Sequence, residues 1–164
     1  MATITLKGNP ISTSGELPAV GSKAPGFTLT AADLSDLTLQ DLAGQKAILN
    51  IFPSLDTGIC AMSVRRFNEE AAKLDGTVIV NVSADLPFAQ KRFCGAEGIE
   101  RAKVGSTFRS SFARDYGAEI TEGPMRGLCV RAVIVLDESG TVRYTQLVPE
   151  IVQEPDYDAA LAAL

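Results

Sequence analysis

Apolar and polar positions alternate through "ATITLK" at residues 2–7, and a second short run follows at roughly 10–14. With a turn at Gly8-Asn9-Pro10 between them, this predicts a small N-terminal β-hairpin. "FTLT" and "LTLQDLAG" predict a short extended stretch, then a turn or short helix ending near Gly44. "KAILNIF" (46–52) is a continuous apolar run of buried-strand type, stopped by Pro53. From about residue 59 to 74 the period changes. Cys60, Val64, Phe67, Ala71 and Leu74, at intervals of 4, 3, 4 and 3, line one face of a helix. Arg65/Glu69, Arg66/Glu70 and Glu69/Lys73 are i,i+4 charge pairs on the other face.

"TVIVNVS" (77–83) is rich in β-branched residues and predicts a second buried strand. Asp85 is positioned to cap a short helix running through Phe93-Cys94 and ended by Gly95. "KVGST" predicts a third strand, and "SSFARDYG" (110–117) a capped helix with a glycine stop. "LCVRAVIVLD" and "TVRYTQLV" flank "DESG", an antiparallel hairpin. "EPDYDAALAAL" closes the chain as a helix with Pro155 near its first position. The order βαβα…ββα combines crossover units with a terminal hairpin and a closing helix. It implies an α/β fold: a thioredoxin-like mixed central sheet flanked by helices, with the N-terminal β-hairpin in front. No repeat, low-complexity tract or linker divides residues 1–164, which are read as one domain.

Composition narrows the function. The chain is 46% hydrophobic and 21% charged, with net charge −5 and a pI near 4.8. An acidic chain without a basic run is a poor ligand for nucleic acid or an anionic membrane. It shows no secretory signal and no membrane-spanning run, so a cytoplasmic location is expected, where a stable structural disulfide would be unusual. Histidine is absent. That excludes Cys-His and Ser-His-Asp catalysis and any His-ligated metal. Cys60, Cys94 and Cys129 form no CxxC pair, which argues against a zinc site and a thioredoxin-type dithiol. No cofactor is implied.

"PSLDTGIC" places Cys60 between an apolar strand and the start of a helix. An ordinary thiol with a pKa of about 8.5 is only about 3% ionised at pH 7. A helix start favours the thiolate, but by only about 0.3–1 kcal/mol when exposed. Burial on the apolar stripe works against it. A reactive Cys60 would therefore need a cation from elsewhere in the chain, an arginine, because Arg65 and Arg66 point towards solvent. Chemistry alone leaves two readings of Cys60 level: a nucleophile, or a small apolar residue opening a buried stripe. Cys94, closing a helix, suits either a resolving thiol or a half-buried structural position. Cys129 begins a core strand and reads as structural.

"PSLDTGIC" resembles the active-site pattern of the peroxiredoxins: Pro, three residues, Thr, two residues, Cys. "SADLPFAQKRFCGAEG" and "RAVIVLDESG…LVPEI…EPDYDAAL" are similar to the bacterial thiol peroxidase subgroup, the atypical two-cysteine peroxiredoxins, and the likeness covers nearly the whole chain. The resemblance implies that Cys60 is the peroxidatic thiolate and Cys94 the resolving cysteine. It implies that Thr57 hydrogen-bonds the peroxide, Pro53 shields the thiolate and Arg131 is the cation beside the sulfur. It further implies reduction of hydrogen peroxide and alkyl hydroperoxides through a Cys60–Cys94 disulfide, thioredoxin as reductant, and a homodimer. A non-catalytic binding module, a dithiol oxidoreductase and a glutathione peroxidase are the alternatives. The missing CxxC weakens the second and the absence of Trp the third. Because Cys60 opens one helix and Cys94 closes another, disulfide formation is expected to loosen both turns.

Overall fold

The computed structural model describes residues 2–71, 73–99 and 102–164. The N-terminal hairpin pairs β1 (Thr3–Leu6) with β2 (Asn9–Ser12). Its turn falls at Lys7-Gly8 rather than at Gly8-Asn9-Pro10, because both residues take positive φ, 50° and 83°. That is the twist a two-residue hairpin loop demands, and Asn9 and Pro10 are drawn into β2.

A seven-stranded mixed sheet follows, in the order β4-β3-β7-β6-β5-β8-β9. Its strands are β3 (Thr28–Thr30), β4 (Asp36–Thr38), β5 (Lys46–Ile51), β6 (Thr77–Ser83), β7 (Lys103–Ser106), β8 (Ala132–Leu136) and β9 (Val142–Leu147). β5 runs parallel to β6, and β6 to β7, while β8 is antiparallel to both β5 and β9. A 3-10 turn at Leu39–Leu42 follows β4, as the short turn before Gly44 was expected to do.

The central strands read as unbroken apolar runs because both faces of the sheet are covered. On one face Ile48, Ile79, Val133 and Val135 pack with Phe67 of α1 (Gly58–Ala71) and Ala160 of α4 (Tyr157–Ala162). On the other, Leu49, Ile51, Val80, Val82 and Ile134 meet Ile4 and Ile11 of the hairpin and Phe112 of α3 (Phe112–Asp115). Phe112 stacks on Tyr116 at 4.3 Å between ring centroids. Fully burying each such side chain contributes about 1.5–3 kcal/mol, so the two-sided core fixes strand register as well as stability.

Several helix boundaries differ from those the sequence predicts. α2 spans Pro87–Glu97, so Gly95 lies inside it, and Gly98, at φ 68°, ends it instead. Asp85 does not cap α2. Leu86 holds that position without a side-chain bond, and Pro87 supplies a pre-set first turn. Pro155 precedes α4, whose cap is Asp156, accepting from the Ala159 amide. On α1 the expected stripe holds at Cys60, Val64 and Phe67, all fully buried. The side chain of Ala71 lies outside the described residues, and half-buried Leu74 falls beyond the helix. Arg66 pairs with Glu70 as expected, at 3.4 Å, whereas Arg65 reaches across to Glu97 of α2 at 2.8 Å.

Candidate active site

β5 delivers the chain to Phe52 and Pro53, both buried, where the backbone leaves the sheet. Ser54 to Thr57 then turn it into α1. The Thr57 carbonyl accepts from the Ala61 amide at 3.0 Å, closing the first helical turn around Cys60. Cys60 is fully buried, packed with Phe52, Leu55, Val64 and Ile99. Its carbonyl accepts from the Ser63 hydroxyl at 2.8 Å. Ser63 in turn accepts from Asn50 Nδ2, which also donates to Asn81 Oδ1. A buried polar string thus ties the first turn of α1 to the two central strands.

The side chain that reaches the sulfur from elsewhere in the chain is Arg131, the residue before β8. Its Nη2 donates to Cys60 Sγ at 3.3 Å, and its Nε donates to the Ile151 carbonyl at 2.7 Å. Arg131 is only 2% exposed, so its charge is poorly screened and the contact with sulfur is correspondingly strong. Nη1 is buried without an acceptor among the described residues.

Of the five residues singled out in the sequence, Cys60 and Arg131 are in direct contact. Thr57 stands at the exposed rim of the same turn, its hydroxyl donating to the Ser54 carbonyl at 3.0 Å. Its oxygen lone pairs remain available to accept. Buried Pro53 forms the entrance to that turn. Cys94 sits in the last turn of α2, half-buried, and packs with its neighbour Phe93 against the Cys60 cluster. All three cysteines are free thiols. Burial pushes the Cys94 thiol up from its ordinary value. Cys129 is fully buried, and burial pushes it up to about 12. Among the described residues no group of Cys, Asp and Glu side chains is arranged to hold a metal ion.

Sequence reasoning took Asp85 only for a helix cap. Its carboxylate accepts from the Ser54 hydroxyl at 2.7 Å, the Leu55 amide at 2.8 Å and the Ser83 hydroxyl at 2.6 Å. An Asp just before a helix reads as a cap. Only the fold reveals that the Cys60 loop passes beside it.

The sequence profile of the family described as Redoxin matches residues 19–161. The chain is 60% identical over 164 residues to the thiol peroxidase of Mycobacterium tuberculosis, covering 100% of this chain and 99% of that protein. The thiol peroxidase of Mycobacterium bovis matches with the same identity and coverage. Among solved structures, a peroxiredoxin-like protein from Aquifex aeolicus superposes with a TM-score of 0.94 at 40% identity, over 99% of this chain and 95% of that one. A thiol peroxidase from Chromobacterium violaceum superposes at 0.89 and 21% identity, over 98% and 93%, a likeness of fold. The chain belongs to the redoxin family, and within it to the peroxiredoxin-type thiol peroxidases. Its reaction class is thiol-dependent peroxide reduction.

Proposed function

We propose that the chain reduces hydrogen peroxide and alkyl hydroperoxides with Cys60 as nucleophile, Cys94 as resolving thiol and a thioredoxin as reductant. The observation that carries this is the 3.3 Å contact between Arg131 and Cys60 Sγ, in a buried site of a protein without histidine. The guanidinium stabilises a thiolate that the apolar surroundings would otherwise disfavour.

The Cys60 thiolate attacks one peroxide oxygen in line with the O–O bond. The S–O bond forms as O–O breaks, and the departing alkoxide or hydroxide takes a proton to leave as alcohol or water. Arg131 Nη1 donates to the peroxide as negative charge moves onto the leaving oxygen, while Thr57 Oγ1, its own proton given to the Ser54 carbonyl, accepts from the peroxide O–H. Pro53 keeps bulk water from the sulfur. The resulting sulfenic acid condenses with the Cys94 thiol, expelling water and forming an intramolecular disulfide. A thioredoxin dithiol returns two electrons and restores both thiols.

A homodimer is the expected working form, since exposed Phe88 and Leu86 lie at the start of α2, close to the Cys60 loop. The cytoplasm is its expected location, as the acidic composition and the lack of a secretory signal suggest. The deciding experiment is an NADPH-coupled peroxidase assay with thioredoxin and its reductase. The parent should turn over both peroxide classes and Cys60→Ser neither; peroxide consumption by Cys60→Ser would overturn the reading.

A further inference from the structure

The Cys60 turn and α2, which carries Cys94, are joined by one hydrogen-bonded relay, and Asp85 is its centre. On the Cys60 side, Asp85 accepts from the Ser54 hydroxyl and the Leu55 amide. Ser54 continues the chain of bonds, accepting at its Oγ from the Asp56 amide and at its carbonyl from the Thr57 hydroxyl. On the other side, Asp85 accepts from Ser83 Oγ, which itself accepts from Gln90 Nε2 of α2 at 3.2 Å. Gln90 is fully buried and also donates to the Gly105 carbonyl of β7, while the Asp85 carbonyl accepts from Ser106 Oγ.

We propose that Asp85 is a positioning residue that latches the Cys60 turn and α2 together. It holds them in the closed arrangement that meets peroxide and makes them open as one unit when Cys94 must reach Cys60. This rests on the roles of Cys60 and Cys94 proposed above. The physical reason lies in where the bonds go. The Asp85 carboxylate takes two donors from the Cys60 loop and a third from Ser83 of β6, whose oxygen in turn takes Gln90 of α2, so a shift of the loop or of α2 disturbs the bonds that meet at Asp85 and Ser83 and loosens the support of the other. The two steps of the cycle therefore place opposite demands on Asp85. Oxidation of Cys60 needs the latch closed, with sulfur against Arg131. Condensation of the sulfenic acid with Cys94 needs it released. Weakening the latch slows the first step and speeds the second, a signature that general damage to the fold does not produce.

The test uses the full chain and its Asp85→Ala variant, with quench-flow alkylation and mass spectrometry separating Cys60 oxidation by cumene hydroperoxide from disulfide formation. Oxidation should fall by about tenfold and disulfide formation rise by about three- to tenfold, the size expected for losing charge-assisted hydrogen bonds. Hydrogen exchange on the reduced variant, which requires no activity, should rise together at residues 54–57 and 87–94. A parallel fall in both rates, no change in either, or faster exchange in one segment alone would overturn the latch. If Asp85→Ala does not fold, as judged by circular dichroism, Ser54→Ala removes a single donor and should give the same opposite signs with smaller size. Equal signs there would also defeat it. A parent protein that forms no Cys60–Cys94 disulfide would instead defeat the proposed function, while the exchange measurement would still decide the latch.

Discussion

Arg131 and Cys60 are 71 positions apart in the chain, yet Nη2 stands 3.3 Å from Sγ while Nε is held by the Ile151 carbonyl. The guanidinium is thus fixed at one edge and presented to sulfur at another. A lysine has a single ammonium and no rigid fork, so it cannot serve both acceptors in the same way. Arg131→Lys should lower kcat/KM for peroxide by about ten- to hundredfold, the size expected for a lost charge-assisted hydrogen bond. Steady-state kinetics check this, and a lysine variant with parental kcat/KM would refute the need for the fork.

Among the described residues, Cys129 differs from Cys60 in having no cation against it. Burial pushes its thiol up to about 12, against a partial relief from the Thr107 hydrogen bond and with smaller additions from the Glu119 and Asp85 charges, so it stays protonated. Iodoacetamide should therefore label Cys60 well before Cys129 in the folded protein, and Cys129 only after denaturation. Cys129→Ser should keep most of the peroxidase activity. Mass spectrometry of timed alkylation tests the first statement, and loss of turnover in Cys129→Ser would contradict the second.

The strap that holds Arg131 is sensitive to acid. Val148 donates to the Arg131 carbonyl and Ile151 accepts from its Nε, while the Pro149 and Ile151 backbone pairs with Thr5 of the hairpin. Glu150 pins the same strap. Its carboxylate lies below its ordinary value, chiefly through the Gly8 amide and then through the amides of Val152 and Lys7 and the Thr5 hydroxyl. A carboxylate lowered in the folded state adds stability that is present above its unfolded value of about 4.3 and is lost as pH falls through the folded value. Asp33, Asp41 and Asp137 are lowered likewise and act in the same direction. Glu150→Gln should therefore lower Tm at pH 7 and converge with the parent as both are acidified. Thermal melts at about pH 7, 5 and 3 check this, and a constant gap across that range would rule Glu150 out.

Much of this was readable from sequence because strong local signals decided it. Buried runs such as "KAILNIF" and "TVIVNVS" have one stable placement, at the centre of a sheet covered on both faces. Cys60 was legible as a helix-start thiol that needed a distant cation, but its identity as Arg131 came from resemblance. No periodicity links residue 60 to residue 131. Asp85 was misread for a related reason. An Asp two residues before Pro87 satisfies the local rule for a cap, and the competing partners Ser54 and Leu55 lie 30 or more positions away. The end of α2 was misplaced because Gly95 and Gly98 both offer a stop. The second wins because it alone takes the left-handed conformation, which lets the helix run to Glu97 and its pair with Arg65.

The extent of loosening in the oxidised form follows from what anchors α1. If the first turn around Cys60 unwinds to meet Cys94, the bond from Ser63 to the Cys60 carbonyl is the first to break. Ser63 itself stays tied to Asn50, and Asn50 to Asn81, on the two central strands. Unwinding should therefore stop at about Ser63, while α2 gives way around Cys94 because its contacts with the Cys60 cluster, through Phe93 and Cys94, are only partly buried. Closing a loop of 34 positions contributes roughly 4 kcal/mol through the unfolded state, enough to offset one or two lost turns without melting the sheet. Hydrogen exchange on reduced and oxidised protein should show faster exchange confined to about residues 57–64 and 86–95, with β5 and β6 unchanged. Ser63→Ala should extend the loosened stretch further along α1 in the oxidised form. Unchanged protection in both segments on oxidation would refute the loosening, and an unmoved boundary in Ser63→Ala would refute the anchor.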